Sequence, residues 1–470
     1  MSAFDAHQAI RLLSVLAAVL CARYLLRRRR PPLPPGPRAL PVLGNVRDLP
    51  KESPWVSFAE MGRKWGDIVS ITVLGQTMII INSPKVAEDL LDVKGANFSD
   101  RPVVQMGGEL VGFRNALSLC QYGDRVRKER KLFHQLFGTS KAIERFLPLN
   151  RLEIRKLLQY LVRHPDGAVK GVQRTTGAIV FRIAYGYRIA EGPDRFLDLF
   201  DVRSDIFARS TQPAAFLVNF IPALRYWPAW LPGGGFRKLA DKWAKHVLET
   251  VNAPHEYVKQ QMAAGTAEES FTSTLLHERP DEEYLIKWAA SAILAGGSST
   301  TSSQLEAFFL SMSLYPEIQA EAQRELDRVV GTERLPELSD RPELPYINAL
   351  CKEVLRWHNA APTGESIRRC ISYTCFISTG VPHRTREDFV YEREGGDPPL
   401  LIPKDSLIIT NIWHMTHDPT RYRNPLAFDP SRFIPTDTKK AEQDPSRICF
   451  GYGRRICPGP SFSHFPPSRF

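Results

Sequence analysis

Phe450-Gly451-Tyr452-Gly453-Arg454-Arg455-Ile456-Cys457-Pro458-Gly459 lies near the end of the 470-residue chain. It reads as a tight loop that presents one cysteine sulfur to whatever lies above it. Gly451, Gly453 and Gly459 admit backbone conformations closed to other residues, and the close approach of a flat ligand. A thiolate is costly in an apolar site unless a metal or hydrogen-bond donors stabilise it, and the N–H groups of such a loop supply donors. Arg454 and Arg455 suit an anionic ligand edge. A lone cysteine is ordinarily a small structural residue; the spacing of glycine, arginine and cysteine here favours a ligand.

Outward from that loop, Asp281 to Ser313 reads as one helix of about thirty residues ending before Pro316. Inside it stands Ala295-Gly296-Gly297-Ser298-Ser299-Thr300-Thr301. Two adjacent glycines within a helix cost on the order of 1 kcal/mol each. One reason for them is close helix packing. The other is a groove for a small ligand, widened where Thr300 bonds the carbonyl of Gly296. Pro345 to His358 predicts a helix on which Glu353 and Arg356 share a face and pair. Asp124 to Phe137 predicts a basic helix carrying Arg130, whose face is either solvated or turned to an anion. The β-branched runs Ile68–Val73 and Thr77–Ile81 flank Gly75-Gln76 and predict a hairpin. Ser83-Pro84 predicts a helix start with serine as N-cap. Residues 142–278 read as helical scaffold, with Phe216–Pro228 facing membrane or substrate.

The pattern Phe-x-x-Gly-x-Arg-x-Cys-x-Gly over 450–459 resembles the haem-thiolate loop of the cytochrome P450 family, in which the cysteine is the axial iron ligand. The 295–301 run is similar to that family's Gly-Gly-x-Asp-Thr-Thr oxygen-binding segment. The match aligns Thr300 with the proton-delivering threonine and puts Ser299 where an acid usually stands. A serine hydroxyl relays a proton but does not supply one as a carboxyl does. Glu353 and Arg356, joined by Arg432 from Phe428-Asp429-Pro430-Ser431-Arg432-Phe433, match the family's buried structural network. Arg130 matches a propionate-binding arginine, with Val126 in the place of its usual tryptophan companion.

The resemblance implies a mainly α fold with a small β portion, the cytochrome P450 fold. It implies haem b between the Thr300 helix and the Cys457 loop, facing Phe450, Gly296 and Gly297. Cys457 would be the metal ligand, and Arg130, Arg455 and His383 would hold the propionates, with Arg384 as the alternative to His383. Residues 100–121 would line the substrate pocket. Electrons would come from NADPH through NADPH-cytochrome P450 reductase, which Arg127, Lys128 and Lys131 would help to dock. Asn411–Pro419 looks most like fungal secondary-metabolism members.

The formal charge is +11, of which residues 1–30 hold six arginines and one aspartate, or +5. The remainder is spread out, with no basic stripe interleaved with aromatics, so nucleic acid is excluded as the main partner. Seven scattered cysteines without paired spacing point to a reducing compartment. Residues 1–30 read as a membrane anchor: the apolar run Ile10–Leu26 precedes Arg27–Arg30, a basic stop that stays cytoplasmic. A stiff hinge follows at 31–37, Pro31-Pro32-Leu33-Pro34-Pro35-Gly36-Pro37. The catalytic domain, 38–470, would then sit in the cytosol on the endoplasmic reticulum membrane.

Two stretches depart from the family pattern. Only 13 residues follow Cys457, and their prolines discourage the helix expected there, so the domain reads as incomplete after 459. Residues 364–379 read as an insertion, and as translated intron, because removing them joins Thr363 to Gly380 in the family's spacing. The leading function is a monooxygenase oxidising a lipophilic small molecule such as a terpenoid or polyketide intermediate. The alternatives are a haem-thiolate isomerase or dehydratase, and a haem-free product of incomplete splicing.

Overall fold

The computed structural model describes residues 30–459 apart from 51, 213–214 and 363–380. The expected anchor at 10–26, the insertion at 364–379 and the tail after 459 lie outside the described residues. No helix among the described residues is long and apolar enough to cross a membrane.

The architecture is mainly helical with a small sheet portion. In chain order the longer helices are α1 (Pro54–Trp65), α2 (Asp124–Phe137), α3 (Leu147–Arg163), α4 (Ala168–Tyr185), α5 (Arg195–Thr211) and α6 (Gly235–Ala263). They continue with α7 (Phe271–Glu278), α8 (Glu283–Gly297), α9 (Ser299–Leu314), α10 (Pro316–Val329) and α11 (Pro345–Trp357). The strands are β1 (Ile68–Val73), β2 (Gln76–Ile81), β3 (His383–Arg384), β4 (Phe389–Tyr391), β5 (Leu400–Ile402) and β6 (Leu407–Thr410).

One sheet runs β1-β2-β6-β3 and a second pairs β4 with β5. β1 and β2 form the expected antiparallel hairpin, with Val69 opposite Ile80. Its two-residue turn puts Leu74 and Gly75 at φ 48° and 88°, as a turn that matches strand twist requires. β2 continues into β6 in parallel, and Ile409 lies beside Ile80. Both residues are fully buried, which accounts for the unbroken β-branched run.

The largest apolar core gathers Phe133 of α2, Phe181 of α4, Phe271 of α7 and Ile286 and Ala290 of α8. It places α8 centrally, against α2, α4 and α6. Two expectations about helices are corrected. Ser83 makes no side-chain capping bond, and the helix it precedes is a single turn, Pro84–Ala87, followed by a wider one over Glu88–Val93. The long helix expected over 281–313 is interrupted at Ser298 (φ −77°, ψ −67°), giving α8 and α9. The cause is local. The Thr300 hydroxyl donates to the Gly296 carbonyl at 2.6 Å and the Ser302 hydroxyl to the Ser298 carbonyl at 2.8 Å. Side-chain donors competing for helix carbonyls bend the ladder, and paired glycines resist the bend least.

Candidate functional site

A cavity of about 390 Å³ opens between the α8/α9 junction and the loop after Cys449. Cys457, Phe450 and Arg455 form its floor; Gly296, Gly297, Thr300 and Thr301 form one wall. The sequence motifs 150 residues apart therefore meet across one space.

The cysteine loop is anchored from below. Gly453 lies at φ +60°, and a Cβ there would stand 1.9 Å from the carbonyl oxygen of Leu91. Its N–H donates to the Asp92 carboxylate. Within the loop the Cys457 N–H donates to the Phe450 carbonyl at 2.8 Å, and the Gly459 N–H points to the Cys457 sulfur at 3.4 Å. The Cys457 residue is exposed and lines the cavity. Burial pushes the thiol up; the Gly459 N–H and the Arg130 charge act against it. Alanine at 453 therefore meets both a strained left-handed backbone conformation and the Leu91 carbonyl. Gly453→Ala is expected to cost at least about 1–3 kcal/mol, checked by the thermal midpoint.

Cys449, the rival eight residues earlier, is not on the cavity wall. Asn359 donates to its sulfur at 3.5 Å, and burial holds its thiol protonated far above the ordinary range.

Three arginines surround the floor. Arg455 donates to the carbonyls of Ser99 (2.8 Å), Leu117 (3.3 Å) and Cys120 (2.6 Å). Arg130 donates to the carbonyl of Ile456 at 2.8 Å, so α2 is tied to the cysteine loop itself. Arg101 donates to the carbonyls of Val381 and Pro382, and its Nε has no partner. Among the described residues none of the three meets a carboxylate in an ion pair; the neighbouring Asp100 is engaged by Arg386 at 3.0 Å. Burial, then mutual repulsion, pushes Arg101 well below the arginine range, and Arg455 falls to about 10. Clustered guanidiniums without a carboxylate partner form a receptor for an anion.

Sequence reasoning overlooked Arg101. Its only local signal is Asp100-Arg101-Pro102, a charged pair ahead of a proline that holds the chain extended. Val126, in the expected tryptophan position, is buried and lines the cavity. His383 is not on the wall. Its Nδ1 lies 2.6 Å from the Phe98 carbonyl, and burial with the charges of Arg101 and Arg455 keeps the ring neutral. Ser299 is also absent from the wall, while its neighbour Thr300 is on it.

Glu353, Arg356 and Arg432 stand apart from the cavity and are fully buried together. Arg356 grips both Glu353 carboxylate oxygens at 2.7 Å, and Arg432 Nε lies 3.1 Å from the same carboxylate.

A family model described as Cytochrome P450 matches residues 34–465. The chain is 44% identical to Cytochrome P450 monooxygenase 208 of Postia placenta over 457 residues, 97% of this chain and 84% of that one. It is 42% identical to Cytochrome P450 monooxygenase claR of Ampulloclitocybe clavipes, over 95% of this chain and 79% of that one. It is 37% identical to Cytochrome P450 monooxygenase ppsD of Aspergillus oryzae, over 91% and 78%.

Proposed function

The chain belongs to the cytochrome P450 family and is a haem-thiolate monooxygenase, and from that premise we propose how its own residues carry the reaction. One oxygen atom of O₂ enters the substrate and the other leaves as water, with two electrons and two protons consumed. The observation that carries the assignment of residues is the meeting of the Cys457 sulfur and the Thr300 hydroxyl on one cavity ringed by arginines.

The residues present fit a haem. The single Cys457 sulfur on the cavity wall would hold the haem iron. A Cβ on Gly296 would meet nothing within 4 Å, which leaves room for a flat group against α8. Arg101, Arg130 and Arg455 supply the cations that two propionates need. When bound, thiolate-ligated haem iron supplies the O₂ activation.

In this reading Cys457 would hold the haem iron, and Phe450, Gly296 and Gly297 would border the haem. Thr300 moves the proton: its hydroxyl is held by the Gly296 carbonyl at 2.6 Å and borders the cavity. Ser299, off the wall, would act through Thr300. Thr300→Val is expected to slow product formation roughly 10²-fold while NADPH oxidation continues. Product formed per NADPH consumed, measured with a reductase, checks this; unchanged coupling would remove Thr300 from the relay.

NADPH-cytochrome P450 reductase is the proposed electron donor, docking on the exposed face of α2 that carries Arg127, Lys128 and Lys131. The proposed substrate is lipophilic, a terpenoid or polyketide intermediate, because the cavity wall is mostly apolar, with Phe133, Phe137, Val180 and Ile183. Endoplasmic-reticulum membrane attachment through residues 1–30 is proposed as well. Exposed Leu217, Ile221, Tyr226 and Trp230 support it, as an apolar surface suited to a bilayer interface. NADPH-dependent O₂ uptake with such substrates tests the enzyme reading against an isomerase, which needs none.

A further inference from the structure

A fourth arginine reaches the cavity, away from the other three. Arg203 of α5 is only 5% exposed and lines the wall beside Ser204. Its guanidinium makes no hydrogen bond or ion pair among the described residues, and its Nε is buried without a partner. The one contact its charge makes is with the ring of Phe113, 5.5 Å from the centroid. The buried Ser204 hydroxyl is unpartnered too.

The helix itself offers Arg203 nothing. One turn away in either direction stand Leu199, Phe200, Ile206 and Phe207, all apolar. The acids of α5 fall at other spacings, and Asp205 is engaged by Arg209 at 3.2 Å. Arg203 also lies outside the propionate group. Arg455 and Arg130 repel Arg101, whereas none of the three acts on Arg203. An unpaired buried cation is a standing cost to the fold unless something binds it.

We propose that Arg203, with Ser204, selects a substrate that carries a carboxylate on a lipophilic body. The inference rests on the monooxygenase reading and narrows its substrate class. A carboxylate takes two parallel N–H bonds from one guanidinium and a third from a hydroxyl beside it. Phe133, Phe207, Val180 and Ile183 on the same cavity suit the hydrocarbon part. Pinned at α5, the acid end is held off, and a carbon remote from the carboxylate is presented toward Thr300. The reaction then hydroxylates that remote position and leaves the carboxylate intact.

The test compares dodecanoic acid and abietic acid with their methyl esters on the haem-loaded enzyme. Binding is read by the thermal midpoint and by the ligand-induced shift of the Soret band. Both acids are expected to bind at least about tenfold tighter than their esters. Arg203→Gln is expected to erase that difference, to keep ester binding, and to melt no lower than the natural protein when ligand-free, since the charge it removes had no partner. Equal binding of acid and ester by the natural protein overturns the proposal. So does a variant that melts lower and still prefers acids, which would make Arg203 structural. The midpoint reports on ligand even where turnover fails, so a missing thiolate spectrum would count against the monooxygenase reading alone.

Discussion

Replacing Cys457 by alanine is expected to abolish the red-shifted Soret band of the ferrous carbonyl complex and to take oxygenation to background. The sulfur is the only thiol on the cavity wall among the described residues, and its position is over-determined. The Cys457 N–H is bonded back to Phe450, the neighbouring Ile456 carbonyl is held by Arg130, and Gly453 is locked under Leu91. Removing the sulfur leaves that scaffold in place, so protein should still fold while losing the strongest electron-donating ligand available to iron. Cys449→Ala is the control. Its sulfur lies beside Asn359 and the Leu355 carbonyl, off the wall, and the variant should keep the band. If the two variants exchange these outcomes, the ligand has been misassigned.

The second large effect is expected at Glu353. Its carboxylate is fully buried and accepts from Arg356 at 2.7 Å, from Arg432 and from the Asp429 N–H at 2.8 Å. Arg356 goes on to the carbonyls of Thr416 (3.0 Å), Pro425 (2.7 Å) and Ala427 (2.9 Å). Arg432 is shared with Glu442 at 2.8 Å. Glu353→Gln keeps the shape and removes the charge, leaving two buried guanidiniums with one carboxylate between them. Removing one partner of such a network costs about 3–5 kcal/mol, against the 0–1 kcal/mol typical of an exposed pair. The urea midpoint should fall accordingly, and most of the protein should be recovered without haem. A loss below about 1 kcal/mol would mean that the network is replaceable packing.

How far the chain was legible depended on the reach of each interaction. The loop at 450–459, the hairpin at 68–81 and α2 over Asp124–Phe137 are written in local spacing, and each stands where the residues predict. The pairing of Glu353 with Arg356 is also local, three positions apart on α11. Ser299 and His383 carry motif positions, yet neighbouring residues occupy the wall, because a motif aligns chain positions and not side-chain directions. Arg101 and Arg203 were illegible for another reason. What marks them is a lack of carboxylates around them, and that lack exists only once distant segments have packed. The break at Ser298 follows from two hydroxyl bonds within one turn, a signal present in Thr300 and Ser302 but outweighed by the apolar run on either side.

The proline segment has a mechanical consequence. The stiff segment expected over 31–37 is bonded along its length to the body of the protein. Leu401 N–H donates to the Pro32 carbonyl at 2.7 Å, the Ser70 hydroxyl to Pro34 and the Ser70 N–H to Pro35 at 3.0 Å. Asn45 holds Pro37 at 3.1 Å, and Arg30 is paired with Asp388 at 3.1 Å. A rod fastened at both ends transmits force and does not swivel. The segment works as a strap: it lies along the sheet and braces β1 against β5, so its prolines stiffen the domain's own edge.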